Sequence, residues 1–238
     1  MNPIVKRGRI GIITGAGPEA GIDLWQKILK HNKALHDNNF AGDLSAPEVI
    51  VHSIPKLGLA MDIAQYETEL WQELKKALLH LDSDVDFVCI ACNVLHFFSE
   101  KIKALTLSYE FISIVEVAEQ TIEQYGNAAL LSISKVIEFG HYSPYRRSAE
   151  NYPLETPDPA AMDELVHHIK VHGGEHPDTV SKFTAIVNNL KANTLILACT
   201  DLPLLPLDKY NKTFIDASDM LAKTIAQKAF DYVPANAT

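Results

Sequence analysis

The sequence is poor in cysteine, tryptophan and methionine, which number three, two and four among 238 residues. Three cysteines cannot close a disulfide framework, and a chain of this length buries roughly 70% of its extended surface without one. No apolar run approaches the ~18–20 residues of a membrane-spanning helix, and low-complexity segments are absent. These absences exclude the fibrous, disordered and membrane-spanning classes of protein.

Positively charged residues are also fewer than negatively charged ones. Lys and Arg number 21 and Asp and Glu 30, so the formal net charge is −9. Nucleic acids and anionic membranes need a broad basic surface, so neither is expected as a partner. Residues 1–8 contain no apolar segment before a cleavage site, which predicts a cytoplasmic protein with reduced thiols.

Apolar runs alternate with amphipathic segments along the rest of the sequence, which predicts an α/β fold with parallel sheets. The predicted strands cover 9–14, 48–54, 85–91, 111–114, 128–133, 194–198 and 212–215. The predicted helices cover 18–31, 63–80, 115–125, 158–172, 178–190 and 219–232, with a short helix from about 93. Ser218 is predicted to cap the last helix.

Two segments share one plan. Residues 87–93, Phe-Val-Cys-Ile-Ala-Cys-Asn, and residues 194–200, Thr-Leu-Ile-Leu-Ala-Cys-Thr, are each an apolar strand that ends in Ala-Cys and a small polar residue. One lies in each half of the chain, which predicts two similar lobes. Ligands of open α/β sheets bind at the carboxyl ends of the strands. Cys92 and Cys199 are therefore expected to face each other across one cleft.

The glycine-rich segment 15–21, Gly-Ala-Gly-Pro-Glu-Ala-Gly, lies between a strand and a helix. Its third glycine comes one residue late for a dinucleotide-binding fingerprint, and no acidic residue ends the second strand. We interpret the segment as a tight turn whose free N–H groups could meet an anion.

The three cysteines differ in their predicted roles. Cys89 and Cys92 have Cys-x-x-Cys spacing, but residues three apart on a strand point to opposite faces, and no second pair is present. No zinc site, other metal or cofactor is therefore expected, and Cys89 is interpreted as a core residue. Cys92 and Cys199 each lie where a strand becomes a helix, which favours a thiolate. Burial in the core is the alternative for either.

Three segments resemble the aspartate/glutamate racemase family of cofactor-independent amino-acid racemases: 11–20, Gly-Ile-Ile-Thr-Gly-Ala-Gly-Pro-Glu-Ala; 91–96, Ala-Cys-Asn-Val-Leu-His; and 198–203, Ala-Cys-Thr-Asp-Leu-Pro. The resemblance follows nearly the whole chain in order and spacing. It implies two α/β lobes, each a mostly parallel sheet flanked by helices, with the active site in the cleft between them, and a homodimer. Residues 1–107 plus 209–238 would form the first lobe and residues 108–208 the second.

The activity that the resemblance implies is racemisation of a small-molecule amino acid, with aspartate or glutamate as the leading substrate. Removing the Cα proton from one face and returning a proton to the other needs two opposed acid–base groups, which Cys92 and Cys199 would supply. The residues expected to bind the substrate are Ala16, Asn93, Val94, Lys170, Thr200 and Asp201. His96 is expected to support Cys92, with packing inside its helix as the alternative. For Lys170 the alternative is a solvated helix residue.

The sequence departs from the family pattern in two places. Leu-Ala-Met at 59–61 stands where aspartate-type members often carry Asp-Arg-Thr, so the arginine for a distal carboxylate is missing. Ile-Ser-Lys-Val at 133–136 replaces a frequent Thr-x-x-Thr. Lys56 and Lys135 are candidates to compensate for the missing arginine.

Two other functions stay open at this point. The missing arginine favours a catalytically silent ligand-binding protein on the same scaffold. A related decarboxylase or cis–trans isomerase is the other alternative, but such decarboxylases generally keep one of the cysteines, and this sequence has both.

Overall fold

The computed structural model describes residues 7–125 and 127–233, which form two parallel β-sheets flanked by helices. The strands are β1 (Ile10–Thr14), β2 (Val49–Ser53), β3 (Phe87–Ile90), β4 (Glu110–Ile112), β5 (Ala128–Leu131), β6 (Thr194–Leu197) and β7 (Thr213–Asp216). The α-helices are α1 (Pro18–His36), α2 (Ile63–His80), α3 (Ser99–Lys103), α4 (Ile114–Tyr125), α5 (Ser134–Ile137), α6 (Arg146–Asn151), α7 (Pro159–His172), α8 (Pro177–Asn189) and α9 (Ala217–Asp231). Short 3₁₀ turns follow β3 at Val94–Phe98 and β6 at Leu202–Leu204.

The first sheet has the strand order β2-β1-β3-β4, with every pair parallel. β1 and β3 are buried along their whole length, as expected of central strands in a parallel sheet that is covered on both faces. Ile13 of β1 pairs with Ile90 of β3. The glycine-rich turn after β1 and Cys92 after β3 therefore lie at the same edge of the sheet.

The second sheet, β5-β6-β7, repeats this arrangement with fewer strands. Leu197 of β6 pairs with Leu131 on one side and Asp216 on the other, so these strand ends also lie together. Cys199 follows β6 in the place that Cys92 takes after β3. The predicted α/β fold with two mostly parallel sheets is confirmed.

Two strands pair across the predicted lobe boundaries. β4 belongs to the stretch assigned to the second lobe but pairs with β3 of the first sheet, and β7 does the reverse by pairing with β6. Strand pairing joins distant parts of a chain, which a boundary drawn along the sequence does not capture. The last helix does return to the first: α9 packs on α1, where Lys27 Nζ lies 2.5 Å from Asp216 Oδ2. The division of the other residues into two lobes stays a prediction.

The predicted helix ends hold in most places. α2 covers the predicted 63–80, and α7 begins at Pro159, where the Asp158 carboxylate accepts a hydrogen bond from the Ala161 N–H. α1 is longer than predicted and continues from 31 to His36.

The predicted cap of the last helix is wrong. α9 begins at Ala217, and the Asp216 carboxylate accepts a hydrogen bond from the Ser218 N–H at 2.7 Å. Asp216 ends β7 and already reaches the free N–H groups, so Ser218 becomes a helical residue. The short helices α5 and α6 have no counterpart among the predicted elements. Within the described ranges, no helix combines the length and the apolar character needed to cross a membrane.

Candidate active site

A cleft lies where the carboxyl ends of the two sheets meet, and it encloses a cavity of about 30 Å³. The predicted catalytic and substrate-binding residues all line this cavity: Ala16, Cys92, Asn93, Val94, Lys170, Cys199, Thr200 and Asp201. They come from three strand ends, those of β1, β3 and β6, and from α7, so the fold gathers residues that are far apart in the sequence. His96 is the predicted site residue that does not reach the cavity.

Cys92 lies directly beyond β3, before the 3₁₀ turn, and is 8% exposed. Burial raises the pKa of its thiol to about 11. The backbone N–H groups of Leu95 and Val94 point toward the sulfur and offset part of this rise in pKa. The expected preference for a thiolate at this position is therefore outweighed by burial, and the thiol is protonated at neutral pH in the closed cleft.

Cys199 has the matching place after β6 but charged neighbours. Its thiol lies 3.8 Å from Asp201 Oδ2, toward which the S–H can donate. Burial raises the pKa of Cys199 far above its usual range, and the negative charge of Asp201 raises it further, whereas Lys170 lowers it. Of the two thiols that line the cavity, Cys199 holds its proton more tightly.

Lys170 and Asp201 form an ion pair inside the cleft. Lys170 Nζ lies 2.7 Å from Asp201 Oδ2 and donates to the Ala16 carbonyl at 3.3 Å. Burial alone would lower the pKa of Lys170, but Asp201 reverses the effect and the pKa is raised. Burial raises the pKa of Asp201, and Lys170 opposes that rise. Lys170 is thus not a solvated helix residue, since its ammonium joins the two sides of the cleft.

The glycine-rich turn closes against this ion pair. Gly17 has a φ of +105°, and a Cβ at this residue would lie 2.4 Å from Asp201 Oδ1 and 3.1 Å from Lys170 Nζ. Only glycine allows both the backbone conformation and the approach. The predicted tight turn is present, but the group that it offers to Lys170 is the Ala16 carbonyl rather than an N–H group.

Asn93 carries a donor without an acceptor. Its Oδ1 accepts a hydrogen bond from the Tyr145 hydroxyl at 2.6 Å, while its buried Nδ2 has no partner within the part of the chain that the structure describes. A buried donor left unpaired is costly, so it marks a place for a ligand acceptor. Tyr145 is a site residue that the sequence analysis missed. It lies in a turn far along the chain, and no local pattern links it to Asn93.

Thr200 ties the two sides of the cleft together. Its hydroxyl donates to the carbonyl of Ala91, the residue before Cys92, at 3.0 Å. The hydroxyl is buried, and its proton is committed to this contact. The Thr200 oxygen can still accept a hydrogen bond from a ligand, for instance from an ammonium group.

His96 supports the backbone rather than the thiol. Its Nδ1 lies 2.8 Å from the Cys92 carbonyl oxygen, and its Nε2 accepts a 3.4 Å hydrogen bond from the Ile114 N–H. The proton of the neutral ring therefore lies on Nδ1. Burial lowers the pKa of His96 to about 4, so the ring carries no charge near neutral pH. Both nitrogens are occupied, as the packing interpretation expects.

The rest of the cavity wall is apolar apart from Ser132, whose hydroxyl donates to the Ala198 carbonyl at 2.6 Å. The other residues of this wall are Gly58, Ala60, Met61, Ile133, Val166 and Ala198. Ala60 is buried, and no longer side chain enters from this position. Lys56 points elsewhere and pairs with Glu69 at 2.8 Å, and Lys135 is not part of the lining. Neither lysine replaces the missing arginine.

Comparison with known proteins decides the family. The sequence model of the family described as Asp/Glu/Hydantoin racemase matches residues 13–225. This chain belongs to the Asp/Glu/Hydantoin racemase family. As a member of that family it is an isomerase of the racemase class, and the predicted resemblance is confirmed.

Relatives of this racemase family match the chain along nearly its full length. The broad specificity amino-acid racemase RacX of Bacillus subtilis is 24% identical over 94% of this chain and 99% of its own length. The Picrophilus torridus aspartate racemase is similar in fold, with a TM-score of 0.78 at 21% identity over 95% of this chain and 96% of that one. The glutamate racemase of Francisella tularensis, in complex with D-glutamate, is similar with a TM-score of 0.64 at 13% identity, over 95% of this chain and 82% of that one. These likenesses support the two-lobed racemase fold.

Proposed function

We propose that this family member racemises amino acids by a two-base mechanism in which Cys92 and Cys199 act on opposite faces of one Cα. In one direction the first sulfur, as a thiolate, removes the Cα proton, and the second thiol delivers its own proton to the other face. The first sulfur ends protonated and the second as a thiolate, so the reverse direction starts from the state that the forward direction leaves.

The observation that carries the proposal is the placement of the two thiols. Each follows a central strand of its own sheet, and both line one cavity. A single base cannot both take and return a proton across a planar carbanion, whereas two groups from facing sheets can. The active-site assignment of both cysteines rests on this geometry and on the resemblance of their flanking segments to the family.

The high proton affinity of both thiols makes the substrate part of their activation. An amino acid brings an ammonium group into the cleft, and a nearby positive charge favours a thiolate. The N–H groups of Leu95 and Val94 already point toward the Cys92 sulfur, so Cys92 becomes the thiolate more readily. Cys199 can pass its proton toward Asp201 at 3.8 Å.

The polar ends of the substrate have candidate partners. The free Nδ2 of Asn93 is a donor for the substrate carboxylate, with the Val94 amide next to it. The Thr200 oxygen and the Asp201 carboxylate are acceptors for the substrate ammonium. Ala16 contributes its carbonyl, which Lys170 now occupies.

The substrate side chain would meet the apolar wall and one lysine. Lys170 is paired with Asp201, so a side-chain carboxylate has to compete for it. An arginine clamp, which binds a carboxylate through two parallel hydrogen bonds, is missing. We therefore expect a broad range that includes neutral amino acids, with weak use of aspartate and glutamate.

The test is proton exchange in deuterated water. The purified protein is incubated with single enantiomers of aspartate, glutamate and several neutral amino acids, and deuterium at Cα and enantiomer composition are measured together. A racemase incorporates deuterium and converts both enantiomers toward an equal mixture. The Cys92→Ser Cys199→Ser double variant is the control and should do neither. Binding of an amino acid without exchange by the parent protein would instead support the ligand-binding alternative.

A further inference from the structure

A second group of titratable side chains lies outside the cleft, where α7 ends and α8 begins. His168, His172 and His176 follow one another at four-residue intervals. Their ring centroids lie 4.3 Å apart for the first pair, 5.2 Å for the second and 5.5 Å for the outer two. This spacing is a sequence signal for a metal-binding face, which a search for cysteine pairs alone does not detect.

An acidic residue completes the group. The candidate ligand atoms of His168, His176 and Asp178 all lie within 4.8 Å of one another. Ligands of a tetrahedral zinc ion with ~2.0–2.1 Å bonds lie about 3.4 Å apart, so an inward shift of about 1–1.5 Å closes the site. Asp178 and His172 are exposed, and His172, which is not part of the 4.8 Å group, has to turn toward it to bind. Imidazole and carboxylate are ligands that Zn²⁺, Ni²⁺ and Cu²⁺ accept.

The neighbouring contacts of His168 and His176 determine which ring nitrogen a metal could use. The buried Thr179 hydroxyl lies 2.7 Å from His168 Nδ1, which leaves Nε2 of that ring available. Metal-binding histidines commonly use their second nitrogen in such a contact. His176 Nδ1 accepts a 3.3 Å hydrogen bond from the Asp178 N–H, so this nitrogen is unprotonated but occupied, and a metal bound there would displace the contact.

We propose that His168, His172, His176 and Asp178 bind one divalent transition-metal ion, best matched by Zn²⁺, in a structural site that fastens the end of α7 to the start of α8. The site lies apart from the two thiols, and the inference does not depend on the proposed reaction. Lys170 stands in the same last turn of α7 and reaches the cleft. The ion would therefore hold the helix end that positions this ammonium.

The experiment titrates the tag-free, chelator-treated protein with ZnCl₂, using calorimetry and thermal unfolding. We expect one Zn²⁺ per chain and a rise in Tm. His172→Ala and His176→Ala should each weaken binding by at least about tenfold, and Thr179→Val by roughly 10–100-fold. His167→Ala removes an exposed imidazole of α7 outside the cluster and should bind like the parent protein.

Thiolates also bind Zn²⁺, so the titration is repeated on the Cys92→Ser Cys199→Ser double variant. Binding that persists there, with a Co²⁺ spectrum lacking a thiolate charge-transfer band, supports the histidine site. Three outcomes overturn it: no binding by the parent, binding that the histidine substitutions leave unchanged, or binding that disappears in the double cysteine variant.

Discussion

Cys92 and Cys199 hold equivalent places in the two sheets, yet their surroundings differ. Cys92 has the Leu95 N–H pointing toward its sulfur, and the charges of Lys170 and Asp201 act on it in opposite directions and less than burial does. Cys199 lies beside the charged pair of Asp201 and Lys170. Repeating a strand-to-helix plan thus repeats the position of a sulfur but not its proton affinity, because side chains contributed by other elements set that affinity.

The equal free energy of two enantiomers limits how the difference between the two thiols can affect the kinetics of a racemase. The two enantiomers of an amino acid are equal in free energy, so kcat/KM must be the same in both directions whatever the asymmetry of the site. The asymmetry can appear in kcat and KM taken separately and in single steps, such as exchange without inversion or the reaction of each thiol with a probe.

The strongest test removes one thiol at a time. Cys92→Ser and Cys199→Ser should each reduce racemisation by about 10²–10⁴-fold, the usual contribution of a direct acid–base group. The remaining thiol can still exchange the Cα proton of the enantiomer that faces it. The two variants should therefore incorporate deuterium into opposite enantiomers, as measured by mass spectrometry after chiral separation.

Cys89→Ala is the matched control for this pair. Cys89 is fully buried in β3, with its sulfur 3.8 Å from the Gly11 carbonyl, as the core interpretation expects. Its loss should lower stability and leave racemisation intact. Full activity in either serine variant, or exchange of the same enantiomer by both, would contradict the two-base assignment.

Alkylation should separate the two thiols by pH. Only the thiolate reacts, so the rate of iodoacetamide addition should rise about tenfold per pH unit until the pH reaches the thiol pKa. The Cys92 pKa of about 11 lies below that of Cys199, so the Cys92 rate should level off at the lower pH, although Cys199 is the more exposed of the two. Asp201→Asn removes a negative charge that raises the pKa of both thiols, so both profiles should move to lower pH, that of Cys199 more.

The same substitution has a catalytic consequence. Asp201→Asn also removes the acceptor of the Cys199 S–H, and we expect kcat to fall by roughly 10–100-fold while alkylation becomes easier. Peptide mapping of the alkylated protein assigns each rate to its cysteine. If the Cys199 rate levels off at a lower pH than the Cys92 rate in the parent protein, the difference in pKa between the two thiols has been assigned the wrong way round.

Substitution of Lys170 tests whether the side chain of the substrate binds beside Cys199. If acidic side chains reach its ammonium, Lys170→Ala should raise KM for aspartate by roughly 10–100-fold, the cost of a lost charge-assisted hydrogen bond, and spare neutral amino acids. Lys56→Ala, at a surface ion pair, is the control. Thermal unfolding of both variants accompanies the kinetics, because Lys170→Ala leaves the buried Asp201 unpaired. Tight, exclusive use of aspartate that Lys170→Ala does not change would show that the side-chain pocket lies elsewhere.

The smallest effect concerns the amide beside Cys92. Tyr145→Phe deletes the 2.6 Å hydrogen bond to Asn93 Oδ1, which holds Nδ2 in place for a carboxylate. One neutral hydrogen bond corresponds to about a three- to tenfold rise in KM, with kcat nearly unchanged. Steady-state kinetics with a neutral amino acid as the substrate measure KM and kcat separately. A fall in kcat at constant KM would mean that Tyr145 acts on the chemical step instead.

How far the sequence predicts this site depends on the range of each interaction. The strand ends that carry Cys92 and Cys199 follow from local apolar runs, and the order of elements followed from the same pattern. The ion pair of Lys170 with Asp201 and the contact of Tyr145 with Asn93 join residues far apart in the chain, and no periodicity encodes them. The pairing of β4 with β3 and of β7 with β6 crosses the predicted lobe boundaries, and no local pattern in the sequence encodes that pairing either.

The cavity of about 30 Å³ has room for only one or two water molecules, far less than an amino acid occupies. An amino acid therefore fits only after lining side chains or the two sides of the cleft move apart, and parting of the two sides would break the contacts of Lys170 with Ala16 and of Thr200 with Ala91. If such a movement of packed elements through solvent limits turnover, kcat should fall as solvent viscosity rises.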